Sequence, residues 1–378
     1  MYKRLSTNTK SMEQEYKTEK AIQTEEITHN VTFPIIVIGA SIGGMEALKT
    51  LVAGLPSNLG AAICIVWHLG PDSQSVLPHV LNKVGVLHAT GAVNGESIQI
   101  NRIYVAQPDH HLLIEGNHLR LTKGPKENRF RPAVDPLFRS AAYTYGSRVI
   151  GIVLTGALDD GTAGLWSIKN RGGIAVVQNP EDAEMPSMPR SAAKHVAVNY
   201  SVPVADMGRL LVGLVEELNA TPFNTSDMKK DLKLEIEIGI AAEKDPASND
   251  TLKLGDLTPF TCPECHGVLT AIKEGSLKRY RCHTGHAFSG DSLLSALTEN
   301  IEDSLWTTLR SIKESAMLMN HIGDHYAEAN ETTMAAAYFQ KALEAVARVE
   351  SIRKIAVSHQ QLSEENIRQD AGELNINI

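Results

Sequence analysis

The chain has 378 residues, 43% of them hydrophobic, and a formal net charge of −8. This length is enough for two or three domains, and the apolar content is enough for packed cores. The charge is spread along the chain without a basic stripe, which argues against nucleic acid as a partner. No apolar run reaches membrane-spanning length, and the N-terminus lacks a signal-peptide core. We therefore expect a cytoplasmic protein that does not insert into membranes.

Changes in composition along the chain predict six segments. From residue 33 to 218, apolar strand-like runs alternate with helical stretches. This alternation predicts an α/β fold, a doubly wound, mostly parallel sheet with helices on both faces. The predicted segments are a disordered or frayed arm at 1–32, the α/β domain at 33–218, a linker at 219–256, a small Cys/His module at 257–290, a helical hairpin at 291–358 and a polar, fraying tail at 359–378.

Three smaller patterns add detail to this outline. Short strand-like runs at 97–100, 102–105, 111–114 and 118–121 predict a two-strand insert near residues 98–122. Inside the linker, Leu232–Ile238 alternates with period two, which predicts an edge strand or extended chain. After residue 290, apolar residues step by three and four in two stretches joined near 324–333, as in a helical hairpin. The two helices either share an ordinary core or form a coiled coil that joins a homodimer.

A G-x-S-x-G sequence, Gly39–Gly43, lies between an apolar β-branched run and a helical stretch. Glycines let a strand turn directly into a helix, and such a turn exposes the hydroxyl of Ser41. A dinucleotide-binding loop is the alternative interpretation. Ser41 replaces the middle glycine of that fingerprint, however, and the second apolar strand ends in His68 instead of an acidic residue. The pattern therefore favours a serine nucleophile.

A serine hydroxyl needs a positioned base and a group that orients the base. His68 follows the second strand, and side chains beyond the carboxyl ends of neighbouring parallel strands meet in one crevice. Asp159 and Asp160 follow another apolar strand, Val149–Leu154. We assign Asp159 to capping the next helix, near Thr162, and Asp160 to orienting the histidine.

Six separated motifs occur in one order along residues 33–218. They are Gly39–Gly44, Trp67-His68, Ile103–His111, Arg131–Ser140, Leu154–Gly161 and Met188-Pro-Arg190. Together they resemble the bacterial chemotaxis protein-glutamate methylesterase family. The resemblance implies an enzyme that hydrolyses glutamate γ-methyl esters on methylated chemoreceptors, releases methanol and can deamidate glutamine.

The same resemblance implies roles for individual residues. The family's catalytic serine, histidine and aspartate match Ser41, His68 and Asp160, and no cofactor is needed for catalysis. The oxyanion would bind backbone N–H groups, those of Ile42 and Ala157. The 32 residues before the domain are too few for the phospho-accepting domain that precedes many family members.

Other features leave alternatives open. Arg131, Arg139 and Arg190 lie in the matching motifs and either hold an acidic substrate helix or pair with Asp135 and its neighbours. A non-enzymatic signalling adaptor that retains this fold is the alternative function. The intact set of serine, histidine and aspartate favours the enzyme.

The Cys/His module contains a Cys-x2-Cys pair and, farther on, a Cys-x3-His pair. These pairs resemble the two knuckles of a zinc ribbon, with short strands predicted at 267–272 and 278–281. The expected zinc ligands are Cys262, Cys265, Cys282 and His286. His266 and His283 are rival ligands, and a metal-free remnant is the alternative.

Overall fold

The computed structural model describes residues 33–222, 230–244 and 249–373. The predicted arm at 1–32 lies outside these ranges. The strands are β1 (Ile35–Ala40), β2 (Ala62–Trp67), β3 (His88–Gly91), β4 (Arg102–Val105), β5 (His111–Glu115), β6 (His118–Thr122), β7 (Val149–Val153), β8 (Ile174–Gln178), β9 (Tyr200–Val202), β10 (Asp256–Thr261), β11 (Val268–Glu274), β12 (Leu277–Cys282) and β13 (Ala287–Ser289). The helices are α1 (Gly44–Ala53), α2 (Leu77–Val84), α3 (Val134–Tyr145), α4 (Thr162–Asn170), α5 (Ser187–His195), α6 (Val204–Ala220), α7 (Leu232–Ala241), α8 (Gly290–Glu328), α9 (Thr332–Ser358) and α10 (Glu364–Glu373).

Among the described residues, seven strands form one parallel sheet in the order β3-β4-β2-β1-β7-β8-β9. The central strand β1 is apolar and buried along its whole length, as expected for a parallel strand covered on both faces. Ile35 and Val37 pack in the core under α3, α4 and α5. Ile36 and Ile38 pack in the core under α1, α2 and α6. The predicted doubly wound α/β fold is confirmed.

The region predicted as a two-strand insert is divided between two sheets. Strands β5 and β6 form the expected antiparallel hairpin, whereas β4 belongs to the parallel sheet. Residues 97–100 contribute only one isolated bridge, from Ser97 to His118. The edge strands β3 and β9 were not predicted, because both are short and carry polar residues that give no apolar run.

The C-terminal part contains a second sheet and a long helical hairpin. Strands β10 to β13 pair antiparallel in sequence order, and β11 and β12 correspond to the two predicted ribbon strands. Helices α8 and α9 pack against each other and are joined by residues 329–331, so the predicted hairpin is confirmed. None of the helices in the described ranges is long and apolar enough to cross a membrane.

The alternating segment in the predicted linker forms helix α7, so the expectation of an extended strand was wrong. The helix begins at Asp231, whose side chain accepts a hydrogen bond from the Leu234 N–H at 3.2 Å. Its buried residues are Leu234, Glu237 and Ala241, at a spacing of three and four. The alternation was misleading because a charged residue, Glu237, occupies a position that is usually apolar in an amphipathic helix.

Within the predicted fraying tail, Glu364–Glu373 forms helix α10, which docks on the parallel-sheet domain, so the expectation was wrong for this part, and residues 374–378 lie outside the described ranges. The Glu364 N–H donates to Asp291 Oδ1 at 2.6 Å. Two ion pairs join α10 to α5, from Lys194 to Glu364 at 2.8 Å and from Arg190 to Glu365 at 2.6 Å. These long-range contacts give the polar helix a fixed place that its own composition does not predict.

Candidate active site and Cys/His cluster

Ser41 and His68 emerge side by side at the carboxyl edge of the parallel sheet. Ala40 and Trp67 are register partners at the ends of β1 and β2, and Ser41 and His68 are the next residues of the two strands. The His68 N–H donates to the Ala40 carbonyl at 3.1 Å, which extends the pairing by one residue. The predicted nucleophile and base therefore leave adjacent strands at the same level.

The turn after β1 holds Ser41 by its backbone. Its N–H donates to the Thr155 carbonyl at 3.0 Å, and its carbonyl accepts from Trp67 Nε1 at 2.9 Å. Gly43 then adopts φ 74° at the start of α1, a conformation that favours glycine. The strand can thus become a helix within a few residues, with the serine at the bend.

His68 and Asp160 form a buried pair. His68 Nε2 lies 2.8 Å from Asp160 Oδ2, and the two side chains are 3% and 1% exposed. The Phe130 ring stacks on the imidazole, with ring centroids 3.8 Å apart and planes 11° apart. The other ring nitrogen, His68 Nδ1, is buried and has no hydrogen-bond partner among the described residues. One ring nitrogen is therefore fixed by the aspartate, and the other is free to take up a proton.

Asp160 lies at the N-terminus of α3, where its carboxylate accepts several hydrogen bonds. The donors include the N–H groups of Val134 at 2.7 Å, Asp135 at 3.3 Å and Gly161 at 2.9 Å. Burial acts to raise the pKa of Asp160, but hydrogen bonds from His68 and the α3 backbone outweigh it, and the pKa is lowered. Asp160 is thus held as an anion, as required of a group that stabilises an imidazolium.

The Ser41 hydroxyl does not hydrogen-bond to His68 in this structure, so two of the three predicted residues are directly joined. Ser41 instead faces Gly156 and Met188. A Cβ built on Gly156 would lie 2.8 Å from Ser41 Cβ and 2.1 Å from Met188 Sδ. A larger residue at this position would have to displace Met188 or the serine.

The backbone groups predicted for the oxyanion are both available. Within the described residues, neither the Ile42 N–H nor the Ala157 N–H makes a hydrogen bond. The Ile42 carbonyl is held by Thr155 Oγ1 at 3.0 Å, and the Ile42 side chain is 49% exposed. Both N–H groups lie in the turns that follow β1 and β7: Ile42 is the residue after Ser41, and Ala157 is the residue after Gly156, which lies against Ser41.

Asp159 does not cap the helix after it, which corrects the sequence prediction. Helix α4 begins after Gly161 without a side-chain cap, and Asp159 Oδ1 instead accepts from Ser289 Oγ at 2.6 Å. Burial raises the pKa of Asp159 to about 8, and that of Asp135 to about 7. The sequence around Asp159 could not reveal this hydrogen bond, because its partner Ser289 lies 130 residues away along the chain.

Asn128 and Phe130 were missed by sequence reasoning, although both touch the predicted catalytic residues. Asn128 Nδ2 donates to Asp160 Oδ1 at 2.9 Å, and the Phe130 ring covers His68. Both lie directly before the Arg131–Ser140 motif. Asn128 has φ 49°, a conformation that asparagine tolerates better than most residues. That position and residue type are the only signals the sequence offers.

The four predicted zinc ligands converge in the second sheet. One ligand atom from each of Cys262, Cys265, Cys282 and His286 lies within 4.8 Å of the others. A hydrogen bond from Cys262 lowers the pKa of the Cys282 thiol, although burial opposes this change, and His286 lowers it further. A Cys₃His set with one thiol easily ionised suits a tetrahedral structural zinc. The rival ligand His283 is not in the cluster, nor is His266.

The three arginines of the matching motifs have different partners. Arg131 binds Asp109, with Nη2 2.6 Å from Oδ1. Arg139 is buried and pairs with Glu127, and Arg190 binds the α10 residue Glu365, as described above. None of the three pairs with Asp135 among the ion pairs of the described residues.

Comparison with known proteins identifies the family. The family model for CheB methylesterase matches residues 36–211. A protein-glutamate methylesterase/protein-glutamine glutaminase of Geobacter metallireducens is 34% identical over 217 residues, which are 56% of this chain and 60% of the relative. A Leptospira interrogans relative is 39% identical over 185 residues, which are 49% of this chain and 96% of the relative. The Thermotoga maritima CheB methylesterase catalytic domain is 32% identical, with a TM-score of 0.47, over 49% of this chain and 100% of that structure. The chain belongs to the CheB methylesterase family.

Proposed function

We propose that this chain demethylates glutamate γ-methyl esters on a chemoreceptor-like signalling protein, with Ser41 as nucleophile, His68 as base and Asp160 as its orienting partner. The catalytic unit is the segment 33–218. The observation that carries the proposal is the buried hydrogen bond from His68 Nε2 to Asp160 Oδ2, at 2.8 Å, beside the strand that ends in the serine. The names of the curated relatives support both the ester substrate and the glutamine side activity.

The reaction follows from the positions of these groups. Ser41 Oγ attacks the ester carbonyl carbon, and His68 Nδ1 takes its proton. The oxyanion is stabilised by the N–H groups of Ile42 and Ala157. Collapse breaks the bond to the methoxy oxygen, which receives the proton from His68 and leaves as methanol. Water then attacks the acyl-enzyme with His68 again as base, and the glutamate carboxylate is released as the proton returns to Ser41.

The same machinery suits glutamine. An amide differs from a methyl ester only in its leaving group, so His68 would protonate an amine nitrogen and release ammonia. Both substrates give the same acyl-enzyme and the same product, a glutamate carboxylate.

Methanol release from a receptor cytoplasmic fragment carrying methylated glutamates tests the proposal. We expect Ser41→Ala to lower kcat by at least about 1000-fold and Asp160→Asn by about 10⁴-fold. Ser73→Ala is the matched control, since Ser73 lies on an exposed turn, and it should retain wild-type activity. Equal methanol release by Ser41→Ala and the wild type would reject the mechanism.

We also infer that Cys262, Cys265, Cys282 and His286 hold a structural zinc ion. Their donor atoms converge within 4.8 Å, and the small sheet around them has a limited core of its own. Metal analysis after gentle purification should give about one equivalent of zinc. Less than half an equivalent would argue against the site, and Cys64→Ala, which changes a cysteine outside the cluster, should leave the zinc content unchanged.

We further propose a cytoplasmic location and a homodimer formed through α8 and α9. The four free cysteines suit a reducing compartment. The hairpin carries large exposed apolar side chains, among them Trp306, Met317 and Val346, which a second copy would cover. Light scattering should give the dimer mass, and a Met317→Glu, Val346→Glu variant should shift it to the monomer mass. A monomeric wild type would reject the dimer.

A further inference from the structure

The loop before α3 is paired with the last strand of the second sheet. The Asn128 N–H donates to the Ala287 carbonyl at 2.7 Å, and the Ala287 N–H donates to the Lys126 carbonyl at 3.2 Å. Arg129 in the same loop donates to Ser295 Oγ on α8 at 2.7 Å. The loop that contacts the candidate active site is therefore hydrogen-bonded to β13 and α8 of the C-terminal part.

The Asn128 side chain connects the parallel-sheet domain to the C-terminal part through four hydrogen bonds. Its Nδ2 donates to Asp160 Oδ1 at 2.9 Å and to Asp135 Oδ2 at 3.0 Å. Its Oδ1 accepts from the Ser289 N–H at 2.9 Å and from Ser292 Oγ at 3.1 Å. Asn128 as a whole is 3% exposed, and Ser292 is fully buried.

The orientation of this amide follows from its partners. The Ser289 group is a backbone N–H, which can only donate, so the amide oxygen must face it. The NH₂ group must then face the two carboxylates. Asn128 thus uses both ends of its amide, and no rotation preserves these contacts.

The same loop also fixes the base. The Phe130 ring stacks on His68, two residues after the amide that holds Asp160. One short segment, 128–130, therefore contacts both members of the buried His–Asp pair, and its other face is bound by β13 and the start of α8.

We propose that Asn128 is a positioning residue for the catalytic pair, and that Ser289 and Ser292 of the C-terminal part hold it in place. This inference rests on the proposed function of Asp160. It makes the second sheet and α8 a structural requirement for catalysis by the parallel-sheet domain. Asn128 does not touch substrate. It acts by setting the position of the Asp160 carboxylate and by separating it from the carboxylate of Asp135.

The isosteric change Asn128→Asp tests the positioning role in the full chain. It retains an acceptor for Ser289 and Ser292 but replaces the donor facing Asp160 by a carboxylate. We expect kcat for methanol release to fall roughly 10- to 100-fold with KM nearly unchanged, since a hydrogen bond to a charged group is lost. The added negative charge also favours the imidazolium, so the acid limb of the kcat/KM profile should move to higher pH.

A matched control is Asn300→Asp. Asn300 lies on α8 and donates to the Pro263 carbonyl of the second sheet at 3.0 Å, but it has no contact with Asp160, so it should retain the wild-type rate and pH profile. A merely structural effect of Asn128→Asp would lower the active fraction without moving the pH profile. A wild-type rate and profile for Asn128→Asp, with Ser41→Ala inactive, would overturn the inference and leave the proposed function intact.

The contribution of the C-terminal part is tested by Ser292→Ala. This change removes one donor to Asn128 and leaves the Asp160 contacts unaltered, so we expect kcat to fall about 3- to 10-fold. It also provides a second test if Asn128→Asp does not fold. A kcat equal to the wild type would show that Asn128 holds its position without the C-terminal part. Activity that survives in Ser41→Ala would instead reject the proposed function itself.

Discussion

At the residue scale, the candidate site depends on small side chains as much as on reactive ones. Ser41 follows β1 in a tight turn. Gly156 lies beside it, and Met188 packs against the other side of that glycine. Gly156 has no side chain to place between them, and a Cβ there would lie 2.8 Å from Ser41 Cβ. The position of the proposed nucleophile therefore depends on a glycine at residue 156 as well as on its own backbone hydrogen bonds.

Replacing that glycine should affect activity more than folding. We expect Gly156→Ala to lower kcat at least about tenfold, because the new methyl group must push away either Met188 or the serine. Methanol release and a thermal melt measure the two effects separately. Gly213→Ala is the control, since a Cβ there meets nothing within 4 Å, and a helix gains roughly 0.5–1 kcal/mol from the change. Full activity of Gly156→Ala would contradict the expected crowding.

Asp159 should make stability fall with rising pH. Its pKa is raised by burial to about 8, so the folded chain holds a proton that the unfolded chain loses near pH 4. Between those values the folded state binds more protons, and the free energy of unfolding decreases by up to about 1.4 kcal/mol per pH unit. Denaturation of Asp159→Asn from pH 5 to 8 should show a smaller decrease than the wild type. The exposed change Asp72→Asn should keep the wild-type slope, and an unaltered slope in Asp159→Asn would contradict this account.

The sequence pattern predicted that residues at the ends of strands would meet at one edge of the sheet, but it gave no signal for residues that are held by distant partners. Ser41, His68 and Asp160 each follow an apolar strand, so their shared edge could be predicted from the pattern. Asn128 follows no such element, and its partners Ser289 and Ser292 come from another part of the chain. Long-range hydrogen bonds of this kind leave no periodic trace in the sequence.

At the element scale, helix α7 shows how a buried ion cluster conceals a helix. Its buried face presents Glu237, which binds Arg279 at 2.6 Å and Arg281 at 3.2 Å, both from β12. Arg139 of α3 and Glu127 complete the cluster. A charged residue on the inner face breaks the apolar period on which a helix prediction depends, so the remaining residues look like a strand. The cluster also joins three elements that the composition assigns to different segments.

Neutralising this carboxylate should be costly. Burial acts to raise the pKa of Glu237, but Arg279 and its neighbours outweigh it and lower the pKa, so the group is ionised at neutral pH. We expect Glu237→Gln to destabilise the chain by about 3–5 kcal/mol, because buried arginines lose their counter-charge. Denaturant titration at pH 7 measures the change. Glu235→Gln on the same helix, where Tyr143 Oη donates to the carboxylate at 2.6 Å, should cost about 1 kcal/mol. Equal stabilities for the two variants would contradict a role for the cluster.

At the scale of the whole molecule, the second sheet is packed onto the parallel-sheet domain, and two of the contacts lie close to the candidate site. The ion cluster binds one side of β12, and β13 pairs with the loop that carries Asn128. The proposed zinc ligand His286 directly precedes β13. The proposed zinc site and the loop beside Asp160 are therefore only a few residues apart along β13, so a change in one is expected to alter the other.

If Cys262, Cys265, Cys282 and His286 hold zinc as proposed, its loss should affect both stability and activity. Cys282→Ser should purify with less than half an equivalent of zinc and melt at least about 5 °C below the wild type. It should also release methanol more slowly. Cys64→Ala is the comparison for removal of a buried thiol outside the cluster. A zinc-free Cys282→Ser variant with the wild-type melting temperature and rate would contradict a link between the proposed zinc site and the candidate active site.

Helix α10 has a consequence for how a substrate reaches the site. In α10, Glu364 pairs with Lys194 and Glu365 pairs with Arg190. Both basic residues lie on α5, the helix that also carries Met188 beside Ser41. A helix that presents a glutamate ester would approach over a surface already covered by the chain's own glutamates. We expect these glutamates to compete with an approaching substrate helix for Lys194 and Arg190, so Glu364→Gln with Glu365→Gln should lower KM several-fold with kcat unchanged. Asp370→Asn, exposed on the same helix, should leave KM as it is, and an unaltered KM in the double variant would mean that substrate enters from another direction.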